Sequence, residues 1–356
     1  MLRALSIALL STIAISTANA APNVVVSIKP LHSLTAGVMK GVGEPQLILD
    51  GVTSPHDFNL KPSQAKSIQD SDLIIWIGEG LEGFMVKSLE NLEGKSDTLE
   101  IMEVEGISLL DYRDHDDHGE DKKHADHDGH DEHAEDKEHD HEEHAEDKDH
   151  EGHDHEEHSD HDDHKEHADH DEHKDEDGHD HHAHGDGKDP HVWLDINNAK
   201  TITLKIAKTL SKSDPENAET YSENAKSMIE KLAALDVKLQ KTIEDNRSQK
   251  YVVFHDAYQY FEKHFGLSQA ISITLNPEVQ PSAARIKELQ HEVEENNITC
   301  LFSEPQFSPK VLKVVAENTT ASILTLDPLG SKIEKGEDQY FKMMTSLTAS
   351  FDTCVK

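Results

Sequence analysis

Between Asp111 and Asp189 the chain carries 36 acidic residues, 8 basic ones and 22 of its 28 histidines, with almost no aliphatic side chain. A stretch so polar and so densely like-charged cannot bury enough apolar surface to offset its ordering entropy, so 111–189 is expected to be a disordered loop. It therefore divides the foldable chain at a surface connection, where closure entropy grows only slowly with inserted length. The fold has to be assembled from the two flanks.

The first flank begins with a segment that does not belong to the fold. Arg3 gives a positive start, "ALSIALLSTIAIS" an apolar stretch, and Ala18-Asn19-Ala20 a small-x-small site. This is the grammar of a cleaved signal peptide with cleavage after Ala20. The apolar stretch is too short for a membrane span and is interrupted by Ser and Thr. No cysteine follows the cleavage site, so the mature chain is expected to be exported, soluble and without a lipid anchor.

The formal net charge of -38 is mostly the run's: it carries -28, and the remainder about -10. So anionic a chain is a poor partner for nucleic acid, because phosphate contacts need Lys and Arg. Outside the signal and the run, 257 residues of ordinary composition remain. They suffice for two modest domains or one large one. The two cysteines, Cys300 and Cys354, match no metal motif at a spacing of 54. In an oxidising compartment a disulfide is favoured over two separate buried thiols.

Patterning then gives the class. "VVVSI", "QLILDG", "LIIWIG" and "TLEIM" read as strands; "LHSLTAGVMKGV", "PSQAKSIQDSD" and "LEGFMVKSLENL" read as the helices between them. This order argues an α/β lobe over 21–110 with a largely parallel sheet. Past the run, 190–213 completes that lobe through the helical "DINNAKTITLKIAKTLSK".

Residues 214–246 open with Asp and Pro at the helix start and repeat apolar side chains at Ala225, Met228, Leu232, Leu235, Leu239 and Ile243. A helix of that length, about 45 Å at 1.5 Å per residue, exceeds what one lobe needs and reads as a rigid strut. From 247 to 356 the strand–helix alternation repeats: "YVVF", "AISITL", "ITCLFS" and "SILTLD" are strands, each followed by a helix. The expected architecture is two similar α/β lobes with mainly parallel sheets, joined by one long helix, with a cleft between them.

Six histidines lie outside the run, and three sit where α/β folds bind ligands, in loops at the carboxyl ends of strands. His56 follows "LILDG", His191 lies between the run and the next helix, and His255 ends "VVFH"; Asp327 closes "ILTLD" in the same manner. Three neutral imidazoles with a carboxylate or water make a zinc shell, whereas manganese and calcium ask for more oxygen. Spacing alone is a weak signal, since the ligands are spread over 270 residues. His32 at a helix start, where it can cap the helix, and His264 and His291 on helices read as packing or surface residues. Trp76 and Trp193 read as core or lobe-interface aromatics.

The phrases "HDFNLKPSQAKSIQDSDLIIWIGEGLEGFM", "DPHVWLDINNAKTI", "VVFHDAYQYFEKHFGL", "EPQFSPKVLKVVAENT" and "LDPLG", with the acidic histidine-rich insertion just before "DPHVWLD", resemble the zinc-specific substrate-binding proteins of bacterial ABC importers (cluster A-I). The resemblance covers essentially the whole mature chain. It implies two lobes linked by one long helix, with Zn2+ held between them as transported substrate. It also implies a periplasmic location, an inner-membrane ABC permease with its ATPase as partners, and a monomer.

Carried over by position, His56, His191 and His255 fall on the family's zinc-binding histidines. Asp327 falls on a carboxylate that is a ligand in related manganese and zinc binders. Where some zinc members have an acidic residue before the first histidine this chain has Pro55, which leaves Asp327 or water for the fourth position. His255, where manganese-type relatives tend to carry a carboxylate, favours zinc. The family's C-terminal disulfide supports pairing Cys300 with Cys354. The run is then expected to collect several zinc ions weakly, or to report zinc abundance, as an auxiliary to the cleft. A zinc hydrolase is disfavoured by the absence of HExxH and of a Gly-flanked serine. A periplasmic zinc buffer or adhesin without a permease is the other rival.

Overall fold

Every strand pairing in the two sheets is parallel, as the strand–helix alternation requires. The computed structural model describes residues 21–92, 94–113 and 187–355. The expected signal peptide and the histidine-rich run between 114 and 186 lie outside the described residues.

The first sheet holds β1 (Val24–Val26), β2 (Gln46–Leu47), β3 (Leu73–Trp76) and β4 (Asp97–Glu100) in the order β2-β1-β3-β4. Its helices are α1 (Lys29–Val38), α2 (Pro62–Gln69) and α3 (Glu79–Glu90). The second holds β5 (Val252–His255), β6 (Ile271–Thr274), β7 (Cys300–Ser303) and β8 (Ser322–Thr325) in the order β6-β5-β7-β8. Its helices are α6 (Gln259–Phe265), α7 (Ala283–Glu295), α8 (Lys310–Val315) and α9 (Gln339–Val355). The two sheets have the same spatial order, so the lobes are indeed alike.

Residue alternation along the strands decides which core each side chain joins. Val24 and Val26 of β1 and Leu73 and Ile75 of β3 belong to a large cluster that continues through both lobes, while Val25, Ile74 and Trp76 point into a smaller cluster of the first lobe. In the second lobe Val253, Cys300 and Phe302 join the shared cluster, and Val252, Phe254 and Leu301 a separate outer one. Both faces are buried, which is why the strands read as unbroken apolar runs.

Between the lobes run α4 (Ile196–Ser213) and α5 (Ala218–Ile243). Single 3-10 turns at Pro215–Asn217 and Glu244–Asn246 extend α5 at both ends. Its 26 residues span about 39 Å. All six apolar positions expected to face inward are buried, and Tyr221 extends the stripe. One end of α5 meets the first lobe: Asn224 Nδ2 donates to the carbonyls of Val38 and Lys40, and Met228 fills the space beside Gly37 where any Cβ would collide with it. At the other end Gln240 Nε2 donates to the His264 carbonyl of the second lobe.

Cys300 on β7 and Cys354 on α9 form the expected disulfide. His32 does not cap α1: the N-cap is Ile28, and His32 is buried inside the helix with Nε2 against the Pro45 carbonyl. Trp193 is fully buried at the junction of the lobes, and its Nε1 donates to the Pro328 carbonyl at 2.8 Å.

Candidate metal centre

His56 sits in the long loop from β2 to α2, partly buried, its backbone N–H donating to Ser54 Oγ at 3.2 Å. His191 starts a 3-10 turn (Val192–Leu194) that leads into α4. His255 is the last residue of β5. Their ring centroids lie 5.5 Å (His56–His191), 5.7 Å (His56–His255) and 5.3 Å (His191–His255) apart. One nitrogen from each falls within 4.8 Å of the other two, near enough that the three could hold one metal ion.

Two carboxylates decide which nitrogens face the centre. Asp189 Oδ1 lies 2.7 Å from His191 Nδ1 and also accepts the His191 backbone N–H at 3.0 Å. Glu304 Oε1 lies 2.7 Å from His255 Nδ1. A carboxylate only accepts, so in each neutral imidazole Nδ1 carries the proton and Nε2 presents a lone pair. His255 Nε2 is buried with no hydrogen-bond partner among the described residues, the condition of an atom that can take a cation. Asp189 and Glu304 were not singled out in the sequence. Each carried a signal: Asp189 stands two residues before His191, and Glu304 follows β7 at the same end of the sheet as His255.

Behind them lies a charged cluster invisible in the sequence. Arg113 Nη1 reaches Asp256 Oδ1 at 2.9 Å and Arg113 Nη2 bonds Glu262 Oε2, while Tyr251 OH donates to Glu262 Oε1 at 2.8 Å. Burial pushes the Asp256 and Glu262 carboxyls up, and Arg113 opposes the shift in both. Only folding brings residue 113 to residues 256 and 262.

The described ends of the acidic run are paired. Tyr112 N–H donates to Gly187 O and Asp189 N–H to Leu110 O, both at 2.9 Å, with a Lys188–Asp111 ion pair beside them. Tyr260 OH on α6 donates to Asp189 O at 2.8 Å and accepts from Leu110 N–H. The described ends on either side of the run are thus joined at the Asp111–Lys188 bridge, close in sequence to Asp189 and His191.

Asp327 is not brought into the cluster of the three histidines. Its Oδ1 accepts from Gln306 Nε2 (2.9 Å) and Leu329 N–H (3.3 Å), and its Oδ2 from Ser331 N–H and Ser331 Oγ (2.7 Å each). The metal pocket is lined by its neighbours Pro328 and Leu329, together with Gln306 and Phe307, whereas Asp327 lines a separate cavity with Lys332 and Ile333. His264, expected to be a packing or surface residue, is partly buried on α6 between Asp195 and Asp236.

Comparison with known proteins gives the family. The zinc-uptake complex component A periplasmic family matches residues 24–354. The high-affinity zinc uptake system protein ZnuA of Brucella abortus (strain 2308) is 39% identical over 340 residues, covering 96% of this chain and 93% of its own. That of Paracoccus denitrificans is 34% identical over 349 residues, covering 98% and 96%. Among solved structures, a crystal structure of ZnuA superposes with a TM-score of 0.67 at 20% identity, covering 94% of this chain and all of that one. The laminin-binding adhesin of Streptococcus agalactiae reaches 0.66 at 21%, covering 94% and 100%. The chain belongs to the zinc-uptake complex component A periplasmic family.

Proposed function

We propose that this protein is a monomeric periplasmic receptor that captures Zn2+ on His56, His191 and His255 and delivers it to the permease of an ABC importer, driven by the importer's ATPase. The observation that carries the reading is the pair of carboxylate-oriented imidazoles beside a third histidine in a pocket where both lobes meet. Three nitrogen ligands suit zinc better than the oxygen-preferring divalent cations.

Water takes the fourth position in this reading. Asp327 has both oxygens committed to four hydrogen bonds, and coordination would require breaking some of them. The histidine-rich run serves as an auxiliary collector: its carboxylates raise the local cation concentration, and its mostly neutral imidazoles ligate weakly near pH 7.

Zinc titration of the full chain and of a variant lacking residues 114–186 tests this. The full chain is expected to show one tight site and several weak ones, and the shortened variant only the tight one. Loss of the tight site with the run would remove the assignment to the pocket.

A further inference from the structure

We propose that Gln306 is the hydrogen-bond acceptor that orients the water in the fourth position of the zinc site, and that Asp327 acts through Gln306 as a positioning residue. The inference rests on the zinc reading above.

Gln306 lines the metal pocket, on the loop that also carries Glu304 and Phe307. Glu304 bonds His255, and the Phe307 ring packs edge-on against the His255 ring with centroids 5.6 Å apart. A side-chain amide has one donor end and one acceptor end, and the two are told apart by their partners. Asp327 Oδ1 can only accept, so the end facing it at 2.9 Å is Nε2. Oε1 is thereby directed away from Asp327. It is buried and meets no hydrogen-bond donor among the described residues.

A buried carbonyl oxygen without a donor costs about 1–3 kcal/mol, and structures that keep one usually have a use for it. A water polarised by a divalent cation is a strong donor and needs such an acceptor. Besides the imidazoles and apolar walls the pocket is lined by Ser54 and Glu304, but Ser54 Oγ already accepts from His56 N–H and Glu304 Oε1 faces His255 Nδ1, whereas Gln306 Oε1 has no donor of its own among the described residues.

Asp327 is built to hold that amide in place. Its other three hydrogen bonds fasten it to the Asp327–Ser331 turn, which is itself fixed on α9: Gln339 Nε2 donates to the carbonyl of Leu329 at 2.7 Å. Gly330 has φ +57 there, and a Cβ would lie 2.4 Å from Gln339 Nε2, so only glycine fits. The turn is the rigid side and the Gln306 loop the side it steadies. Asp327 thus sets the orientation of the water's acceptor without touching the metal.

The test uses the full-length protein loaded with one equivalent of Zn2+ or Co2+, and compares wild type with Gln306→Leu, Asp327→Asn and the double variant. Wild type is expected to show three imidazoles and one non-protein oxygen by X-ray absorption at the metal edge. Gln306→Leu should keep the three imidazoles and release zinc to a chelator at least about tenfold faster, the worth of a hydrogen bond to a charged group. It should also shift the Co2+ d–d bands, which a merely structural loss would leave alone. Asp327→Asn frees the amide to flip and should produce a smaller change of the same kind. The double variant should be no worse than Gln306→Leu, because the two act through one bond.

An Asp327 oxygen on the metal in the wild type, or fully additive effects, would overturn the inference while leaving the zinc receptor intact. So would unchanged release and unchanged Co2+ bands in Gln306→Leu. Absence of any tight equivalent in the wild type would overturn the zinc reading itself.

Discussion

The two sides of the pocket hold their histidines differently. His191 and His255 each have Nδ1 against a buried carboxylate and are themselves buried, whereas His56 comes from a long loop and is partly buried. The division does not follow the chain. The segment carrying His191 leads into α4, yet it is fastened to the second lobe. Tyr260 OH holds the Asp189 carbonyl, Trp193 Nε1 the Pro328 carbonyl, Tyr340 OH the Trp193 carbonyl, and His264 the Asp195 carboxylate. Two of the three proposed ligands therefore belong to one jaw held by carboxylates, and the third to a loop of the other lobe. A receptor that must both grip and release an ion would be served by such an arrangement, with two of the proposed ligands held by carboxylates and the third on a loop.

The histidines themselves give the strongest way to break this comparison. Each ligand of a four-coordinate zinc site is worth roughly 3 kcal/mol, so any single His→Ala should weaken binding by about 100-fold. Removing His255 or His191 also strands a buried carboxylate, in the apo and loaded states alike, so it should lower the apo melting temperature without adding to the loss of affinity. All three His→Ala variants are expected to lose about 100-fold, read by chelator competition, and His255→Ala and His191→Ala to melt earlier besides. Unchanged apo melting in those two would mean that the carboxylates do not hold the jaw.

The supporting carboxylates sharpen it further. Glu304→Gln and Asp189→Asn still accept the Nδ1 proton but hold the imidazoles less firmly, and such outer partners are worth about 10–100-fold in metal affinity. Calorimetry should place both in that range, with the apo melting temperature little changed. If only one of them matters, the jaw is narrower than the hydrogen bonds imply.

How much of this was legible beforehand follows from whether the determinant was local. The strands β1, β3, β5 and β7 announce themselves because both faces are buried, and the α5 stripe because 3.6-residue periodicity survives any tertiary context. The strand expected over "QLILDG" is paired only at Gln46 and Leu47, though Ile48 and Leu49 still donate backbone bonds to Val26 and Ser27. His255 was readable as a strand end and His56 as following a strand, His191 only as lying between the run and the next helix; the resemblance singled out all three. Asp327 occupies an equally suggestive strand end, but its side chain satisfies the turn that follows, a choice set by Ser331 and Gln306. Arg113 with Asp256 and Glu262, and His264 with its two aspartates, are contacts between segments far apart in sequence, which no periodicity reports.

His264 supplies the mildest test, one of stability, because it lies at the seam that attaches the His191 segment to the second lobe. Its Nδ1 is 2.8 Å from Asp195 on the first-lobe side and its Nε2 2.9 Å from Asp236 on α5. Lys200 stands 3.5 Å from Asp236, and Lys263 lines the same cavity. Burial works against the charged ring, but bonds to both carboxylates outweigh it and raise the His264 pKa above its ordinary value. Burial likewise works against the charged Asp195, and the bond from His264 leads the contributions that bring its pKa down.

The sign follows from linkage. A raised imidazole pKa stabilises fully below the unfolded value near 6.5, and the stabilisation fades as pH climbs through the folded value. A lowered carboxyl pKa stabilises above the unfolded value near 4, and fails as pH drops through the folded value. The seam should therefore be strongest between about pH 4 and 6.5. His264→Gln keeps one hydrogen bond and loses the charge, removing about 2 kcal/mol inside that window. Apo thermal melts should separate wild type from His264→Gln by roughly 5 °C at pH 5.5 and converge at alkaline pH. A gap that stays constant up to pH 9 would mean the ring contributes packing and not charge, and the jaw would be held by the neutral bonds at Asp189 and Trp193.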